Sequence, residues 1–383
     1  MTNDGKLGIY VHIPFCLRKC NYCDFYSVAI YDPEFLKRYV QCLTREIKSY
    51  GEKFPGVRVE TIYFGGGTPN VLAPEFIGEI LHALAHNFAI DHDAEISMEA
   101  NPYQRYRGNW RLVRDAGINR VSLGAQSFND QDLKVLGRLH TTRDILESVE
   151  ALHSAGFKNL SLDLIYGIPG QTIERWQENL KTAVDCQPGH ISAYLLQPGE
   201  RTPMAAQLAR EELHLLDEDT EAAMYYGCLE YLNQQKFQHY EISNFAKSGY
   251  ECRHNLRYWQ GQHYLGLGPG AVSFIDRQRY INEPQVKVYM DSWEHDRTHP
   301  VKVLENMSDH DLLVDAIILG LRLSKGIKRS DFLARFGVDI IDMYWKTICT
   351  GIDDKLLSLT NDTVSLTTKG YFLANQVLCQ FLT

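Results

Sequence analysis

The chain has 383 residues, of which 44% are hydrophobic and 23% charged. That is enough to bury one large core and a smaller second one. The formal charge is -9 with no long run of one sign, which argues against a general binder of nucleic acid or acidic membranes. The first residues show no basic stretch followed by a long apolar one, so no signal peptide is expected, and no apolar run is long enough to span a bilayer. The longest candidate, Leu312–Leu323, is interrupted by Asp315 and reads as a buried helix. Nine cysteines, an odd number, point to a reducing, cytoplasmic setting rather than a disulfide framework.

From Leu7 to Leu196 strand-like and helix-like segments alternate. The strand candidates are Leu7–Ile13, Val59–Phe64, Glu95–Glu99, Arg120–Leu123, Leu160–Tyr166 and Ile191–Leu196. Each is short, rich in Val, Ile or aromatics, and followed by a loop. Helical patterns lie between them at Pro33–Tyr50, Pro74–Asn87, Trp110–Ala116, Thr142–Ala155 and Thr172–Cys186. Pro33 and Pro74 suit a first turn; Gly51, Gly117 and Gly156 suit helix ends. Six βα units predict an α/β fold with a parallel sheet, a partial (β/α)6 barrel over about 7–200. Functional residues are then expected on loops after the C-terminal ends of the strands.

Arg210–Gln235 is again helical, and a mixed segment runs to about Phe274. Residues Ile281–Thr298 are polar and poorly periodic, which places a boundary between a core over 1–290 and a domain over 300–383. That domain has helical patterns at Ser308–Leu323, Ser330–Phe336 and Asp339–Cys349, then LLSLTNDTVSLT, a hairpin with its turn at Asn361-Asp362. With a last helix from Thr368, it reads as a small winged-helix-like α+β unit. Residues 301–383 hold nine Lys and Arg against ten Asp and Glu. A DNA-reading wing would want a basic stripe, so a packing or docking role is expected and no nucleic-acid partner.

Three of the cysteines, Cys16, Cys20 and Cys23, form a C-x3-C-x2-C run. Thiolates suit zinc or iron–sulfur clusters. A structural zinc usually has four ligands, so three on one loop signal an open position. His12 is a candidate fourth ligand for zinc, although it lies in the strand behind Pro14. A tight loop of three buried thiols is the inert alternative.

YVHIPFCLRKCNYCDF resembles the cluster loop of radical-SAM proteins, in particular the anaerobic coproporphyrinogen oxidase family. The resemblance implies a 4Fe–4S cluster on Cys16, Cys20 and Cys23, with S-adenosylmethionine (SAM) on the fourth iron. Cleavage of the sulfonium would give a deoxyadenosyl radical, chemistry carried by the cofactors. It also assigns SAM contacts to Tyr10, Tyr22, Gly66, Gly67, Thr68, Glu99, Gln126, Arg138 and Asp163, and to Gln197 and Val272 in a looser alignment. On residue type alone, Tyr10 could equally be a core aromatic, and Glu99 and Arg138 solvated charges. Asp163 inside an apolar strand needs a partner. The Gly65–Pro69 loop is not a phosphate-binding Walker loop, because no Lys-Ser or Lys-Thr follows in register.

Two departures separate this chain from members that oxidise coproporphyrinogen III. Those carry a further Cys where Phe25 stands, and a longer extension before the cluster loop, where fifteen residues precede Cys16 here. The run Cys252-Arg253-His254-Asn255-Leu256-Arg257-Tyr258-Trp259 instead resembles the H-N-x-x-Y-W motif of the HemW haem-chaperone branch. This implies haem as cofactor or cargo, with His254, Asn255, Tyr258 and Trp259 as its contacts and Cys252 as a second candidate ligand. An imidazole can ligate iron, and aromatic faces suit a porphyrin. The packing alternative is a polar turn followed by two core aromatics. The implied function is haem transfer to respiratory haemoproteins, with oxidative decarboxylation of coproporphyrinogen as the alternative and enzyme activity left open. The partners so implied are haem acceptors, membrane-associated ones included, reached from the cytoplasm at the inner membrane, with a homodimer allowed.

Overall fold

The computed structural model describes residues 5–29, 32–102, 110–295 and 301–382. The six strand candidates all form: β1 (Lys6–Ile13), β2 (Arg58–Gly66), β3 (Ala89–Ala100), β4 (Arg120–Gln126), β5 (Asn159–Tyr166) and β6 (His190–Leu195). They lie side by side in chain order, every neighbouring pair parallel. Short strands, antiparallel apart from the first on the β1 side, extend both edges. β7 (Gln238–Glu241) and β8 (Asn244–Ala246) continue from β6. On the other side β9 (Tyr264–Leu267) pairs parallel with β1 and leads to β10 (Val272–Ile275), β11 (Gln278–Asn282) and β12 (Val301–Asn306).

Alternation along the strands divides the sheet's two faces chemically. Ile62, Met98, Val121, Leu123, Leu160, Leu162 and Ile191 are buried on the helix side. Glu99, Arg120, Ser122, Asp163, His190 and Ser192 face the opposite, concave side. A polar inner face is costly unless its groups are paired with each other or with a ligand, so this face holds the site.

The helices cover the apolar face. α1 (Pro33–Lys53) is capped by Asp32 and has Pro33 in its first turn. It continues two residues past Gly51. A Cβ there would stand 2.6 Å from the Cβ of Asn87, so this glycine serves close approach to α2 (Pro74–Asn87) rather than termination. Gly117 and Gly156, with φ of 123° and 88°, do end their helices. Of the helix expected at 210–235, Glu218–Gln234 forms; residues 210–217 are not helical, and a separate short helix, Pro203–Ala209, precedes them.

The stretch Ile281–Thr298, expected to be irregular, contains a helix at Val286–Glu294. Val286, Tyr289, Met290 and Trp293 are its buried face, an i, i+3, i+4, i+7 pattern diluted by polar residues. Thr298 lies outside the described residues. Val301–Asn306, counted with the C-terminal unit on sequence, pairs with β11 at the edge of the large sheet.

Beyond it, Asp309–Leu321, Arg329–Phe336 and Ile340–Asp353 are helices. The hairpin follows as Leu357–Thr360 and Thr363–Leu366, with Ile327–Lys328 as a third strand. Asn361 adopts φ 52° in its two-residue turn. Tyr225 of the large unit packs against Phe372, ring centres 5.8 Å apart, within one continuous core. Among the described residues no helix is long and apolar enough to cross a membrane.

Candidate functional site

A cavity of about 580 Å³ opens at the C-terminal ends of the parallel strands. Cys16, Cys20, Tyr22, Cys23, Gly66, Gly67, Thr68, Glu99, Gln126, Arg138, Asp163, Gln197 and Asn255, singled out from the sequence, line it. Tyr10, Val272, His254, Tyr258 and Trp259 do not. Tyr10 stands just behind the wall: a Cβ on Gly65 would lie 2.9 Å from its ring and 3.2 Å from Glu99 Oε1. Val272 pairs with Ile281 in the antiparallel extension of the sheet beyond β9.

The cysteine loop is held rigidly. Phe15 is buried edge-on against Tyr39, centroids 4.8 Å apart, and Phe15–Cys16 pairs with Val28–Ala29. Asn21 N–H donates to Leu136 O at 3.1 Å, Asn21 Nδ2 to Val135 O at 3.2 Å, and Arg18 Nη2 to Gly137 O at 2.6 Å. Two thiols also accept hydrogen bonds: Cys16 Sγ from Thr68 Oγ1 at 3.5 Å and Cys20 Sγ from Arg138 Nη1 at 3.2 Å. Asn101 links those two donors. Its Nδ2 donates to Thr68 Oγ1 at 2.9 Å, and its Oδ1 accepts from Arg138 Nη2. Burial pushes the Cys23 thiol up, with Cys20 and Cys16 nearby adding to it. Among the described residues no group of three His, Cys, Asp or Glu is arranged around one metal ion; the three thiols line one wall instead.

His12 is not available to them. Its ring is buried under Gly66, bonded to Tyr10 OH at 3.0 Å and to Tyr26 O at 3.3 Å. Burial lowers its pKa to about 4, so it is neutral at physiological pH. The glycine loop is tight for the same reason. Gly66 has φ 111°, and a Cβ there would meet the His12 ring at 2.6 Å. A Cβ on Gly67 would stand 2.6 Å from Phe15 O and 2.9 Å from Phe15 N, backbone atoms that cannot swing aside. Gly67→Ala is therefore expected to displace the cysteine loop and to cut iron bound per chain after reconstitution about tenfold or more. Gly78→Ala, whose Cβ meets nothing nearer than 3.8 Å, serves as the control with unchanged iron.

The acidic groups are solvated by the fold itself. Glu99 accepts from Tyr63 OH at 3.0 Å and from Gly66 N–H at 3.1 Å. Burial raises its pKa to about 7, with the Asp163 charge adding to the shift. Asp163 accepts from three hydroxyls: Ser192 at 2.8 Å, Ser122 at 3.0 Å and Ser161 at 3.2 Å. These serines are the partner that a charge in an apolar strand requires. Burial still raises the Asp163 carboxyl above the ordinary range. Tyr22 is half-buried, its phenol raised by desolvation, and Arg138 hydrogen-bonds it. Gln126 sits at φ 68°, after a register shift in the β4–β5 pairing, a bulge that turns its side chain into the cavity.

The haem-motif residues are placed differently. Cys252 and His254 are fully buried. His254 Nδ1 is 2.8 Å from Thr61 Oγ1, and Nε2 is 2.8 Å from Tyr258 OH. Its ring stacks on Tyr63 at 5.3 Å. Trp259 lies under the Arg322 guanidinium, 4.4 Å away, where the C-terminal unit meets the core. Glu95 caps this segment, accepting from Arg253 N–H at 2.9 Å and His254 N–H at 3.1 Å. Asn101 and Arg120 were overlooked on sequence. Strand alternation offered a signal for both: Asn101 is two residues after Glu99, and Arg120 two before Ser122.

Residues 10–183 match the radical SAM superfamily, and residues 307–373 the HemN C-terminal domain. The chain is 34% identical to the protein named heme chaperone HemW of Lactococcus lactis, over 97% of this chain and 96% of that one. The chain belongs to the HemW family of radical-SAM proteins. The Bacillus subtilis HemW is 32% identical over 97% of this chain and 98% of its own. A mitochondrial radical SAM domain-containing protein 1 from Bos taurus is 33% identical, covering 84% and 74% of the two chains. Among solved structures, coproporphyrinogen III oxidase (HemN) of Escherichia coli superposes with a TM-score of 0.86 at 24% identity, over 98% of this chain and 89% of that one. That likeness establishes a shared radical-SAM fold with its C-terminal domain, as HemW membership requires.

Proposed function

We propose that the chain is a haem chaperone with a radical-SAM core, which binds haem and hands it to acceptor haemoproteins of the respiratory chain. The observation that carries this reading is the end-to-end likeness to the HemW proteins of Lactococcus lactis and Bacillus subtilis. Phe25 supports it against coproporphyrinogen oxidation. It lines the cavity mouth and is 73% exposed, an apolar face where the oxidising branch has a fourth thiol. In this reading the acceptors are membrane-associated proteins met from the cytoplasm, and a homodimer is the assembly to look for.

Cys16, Cys20 and Cys23 fit a 4Fe–4S cluster, and Gly66–Thr68, Glu99, Gln126, Arg138 and Asp163 fit SAM beside it. When bound, the pair supplies one-electron cleavage of a sulfonium. Thr68 and Arg138 orient and stabilise the thiolates through the hydrogen bonds described above. Glu99 offers its carboxylate to the SAM ammonium, and Asp163, held by three serines, offers acceptors to the ribose hydroxyls.

A pH dependence follows. Glu99 must be ionised to attract the ammonium, and burial places its pKa at about 7. SAM affinity is expected to weaken about tenfold per unit as pH falls below that value, and to level off above it. Glu99→Gln should flatten the slope; isothermal titration between pH 6 and 8 measures both.

The H-N-x-x-Y-W segment does not fit an iron ligand in this conformation, because both nitrogens of buried His254 are engaged. Haem docking is therefore assigned to the cavity mouth rather than to that imidazole. The test is anaerobic reconstitution followed by haem titration. One haem per chain, with coproporphyrinogen III left intact in the presence of SAM, is expected. Conversion of propionate to vinyl groups would turn the reading to the oxidase.

A further inference from the structure

The closed end of the cavity carries a feature that the SAM contacts do not use. Arg120 opens β4 and is 2% exposed, yet its side chain lines the cavity together with Ser122, His190, Ser192 and Asn255. Its Nε is buried without a hydrogen-bond partner. Burial works against its charge, and the nearby Glu95 carboxylate works for it. Glu95 itself is occupied with the backbone N–H groups of Arg253 and His254. A guanidinium has five donors in a planar fork, and burying one without a bound partner is costly.

The surroundings select the missing partner. Around Arg120 most of the polar groups are paired with each other, while Ser97 Oγ and Asn159 Oδ1, on the residues opposite it in β3 and β5, are buried without a partner and without a bond to the guanidinium. Asp163 takes Ser122, Ser161 and Ser192. His190 is bonded to Ser161 Oγ at 2.7 Å and to Tyr240 OH at 2.8 Å. Arg18, Lys19 and Arg138 line the same cavity with the cysteine loop, and the carboxylates of Glu99 and Asp163 would repel a dianion more strongly than a monoanion. A planar monoanion matches the guanidinium fork and adds a single charge. Asn255 is the one residue of the H-N-x-x-Y-W run that lines the cavity, and its amide can donate to the same group.

We propose that Arg120 and Asn255 form a carboxylate-binding site at the floor of the cavity, and that it takes a propionate arm of the tetrapyrrole. The choice of ligand rests on the haem reading above; the carboxylate site itself rests on the geometry. The ring would lie toward the mouth, at Phe25, with one arm reaching inward. The H-N-x-x-Y-W run then contributes to binding through its asparagine, while its histidine holds the segment in place.

Cluster-loaded protein titrated with haem and with haem dimethyl ester, whose carboxylates are masked, tests this. Wild type should prefer the free acid about tenfold or more. Arg120→Gln should bind both forms equally with its cluster absorbance unchanged, and Arg120→Lys should restore part of the preference. A wild type that does not discriminate, or an Arg120→Gln protein that still does, overturns the proposal. If Arg120→Gln does not fold, Asn255→Ala carries the test: a preference reduced about threefold supports the site, and an unchanged one rejects it. If wild type binds no haem at all, the chaperone reading fails separately. The site is then decided by sodium propionate, which should raise the melting temperature of wild type and not of Asn255→Ala; equal shifts reject it.

Discussion

Cys20→Ala protein, supplied anaerobically with iron and sulfide, is expected to show no 4Fe–4S absorbance and little bound iron. Three thiolates are the smallest set that leaves one iron open for SAM, and two do not hold the cluster stably. The loop itself should survive the change. Cys20→Ala removes the hydrogen bond from Arg138 Nη1, but the bonds of Asn21 and Arg18 to Val135, Leu136 and Gly137 do not involve the sulfur and remain. Loss of iron with an unchanged melting curve would therefore report a lost ligand rather than a lost fold. Cys42→Ala supplies the comparison, since that thiol is buried under the sheet and donates to Met290 O at 3.6 Å. It should retain a full cluster. A normal cluster in Cys20→Ala would reject the ligand set.

His254→Ala is expected to destabilise the fold by about 2–5 kcal/mol and to leave haem affinity of the folded protein nearly unchanged. The substitution removes two 2.8 Å hydrogen bonds and a ring stacked on Tyr63. It strands the Thr61 and Tyr258 hydroxyls in a space without solvent. Denaturant titration measures the first effect. The haem absorption band measures the second: a changed band with normal stability would place an iron ligand at His254 and require the segment to open. Burial also holds this imidazole's pKa down at about 3, so the folded protein keeps it neutral and haem affinity should not change through it between pH 6 and 8. The unfolded chain's imidazole protonates below about 6.5, so the stability difference should shrink as pH falls toward 6.

Much of the fold was legible because local signals and tertiary demands agreed. Each of the six strands was short, β-branched and closed by a loop, and the residues flagged on those loops do converge on one cavity. The failures have physical causes. Val286–Glu294 was missed because its apolar face is interleaved with Lys287, Asp291 and Ser292. Gly51 looked like a stop, but what its hydrogen side chain answers is the pressure of Asn87 from another helix, which no local pattern announces. For His254 the local pattern does not announce where the ring sits, since an imidazole beside aromatics has the same sequence whether it meets iron or, as here, Thr61 and Tyr258. Arg120 escaped notice because a charge at the first residue of a strand reads as solvent-exposed. It is buried here between Ser97 of β3, a strand that begins at Ala89, and Asn159, which starts β5 level with it.

The seven-residue helix Arg253–Trp259 works as a mechanical joint. Near one end it presents an amide to the cavity, and at the other an indole clamped by Arg322 of the C-terminal unit. Two turns of helix are too stiff to absorb a displacement between those points. In the haem-transfer reading proposed above, an acceptor that shifted the C-terminal unit would pull on the floor of the ligand chamber, and unloading of cargo would be tied to docking of its recipient.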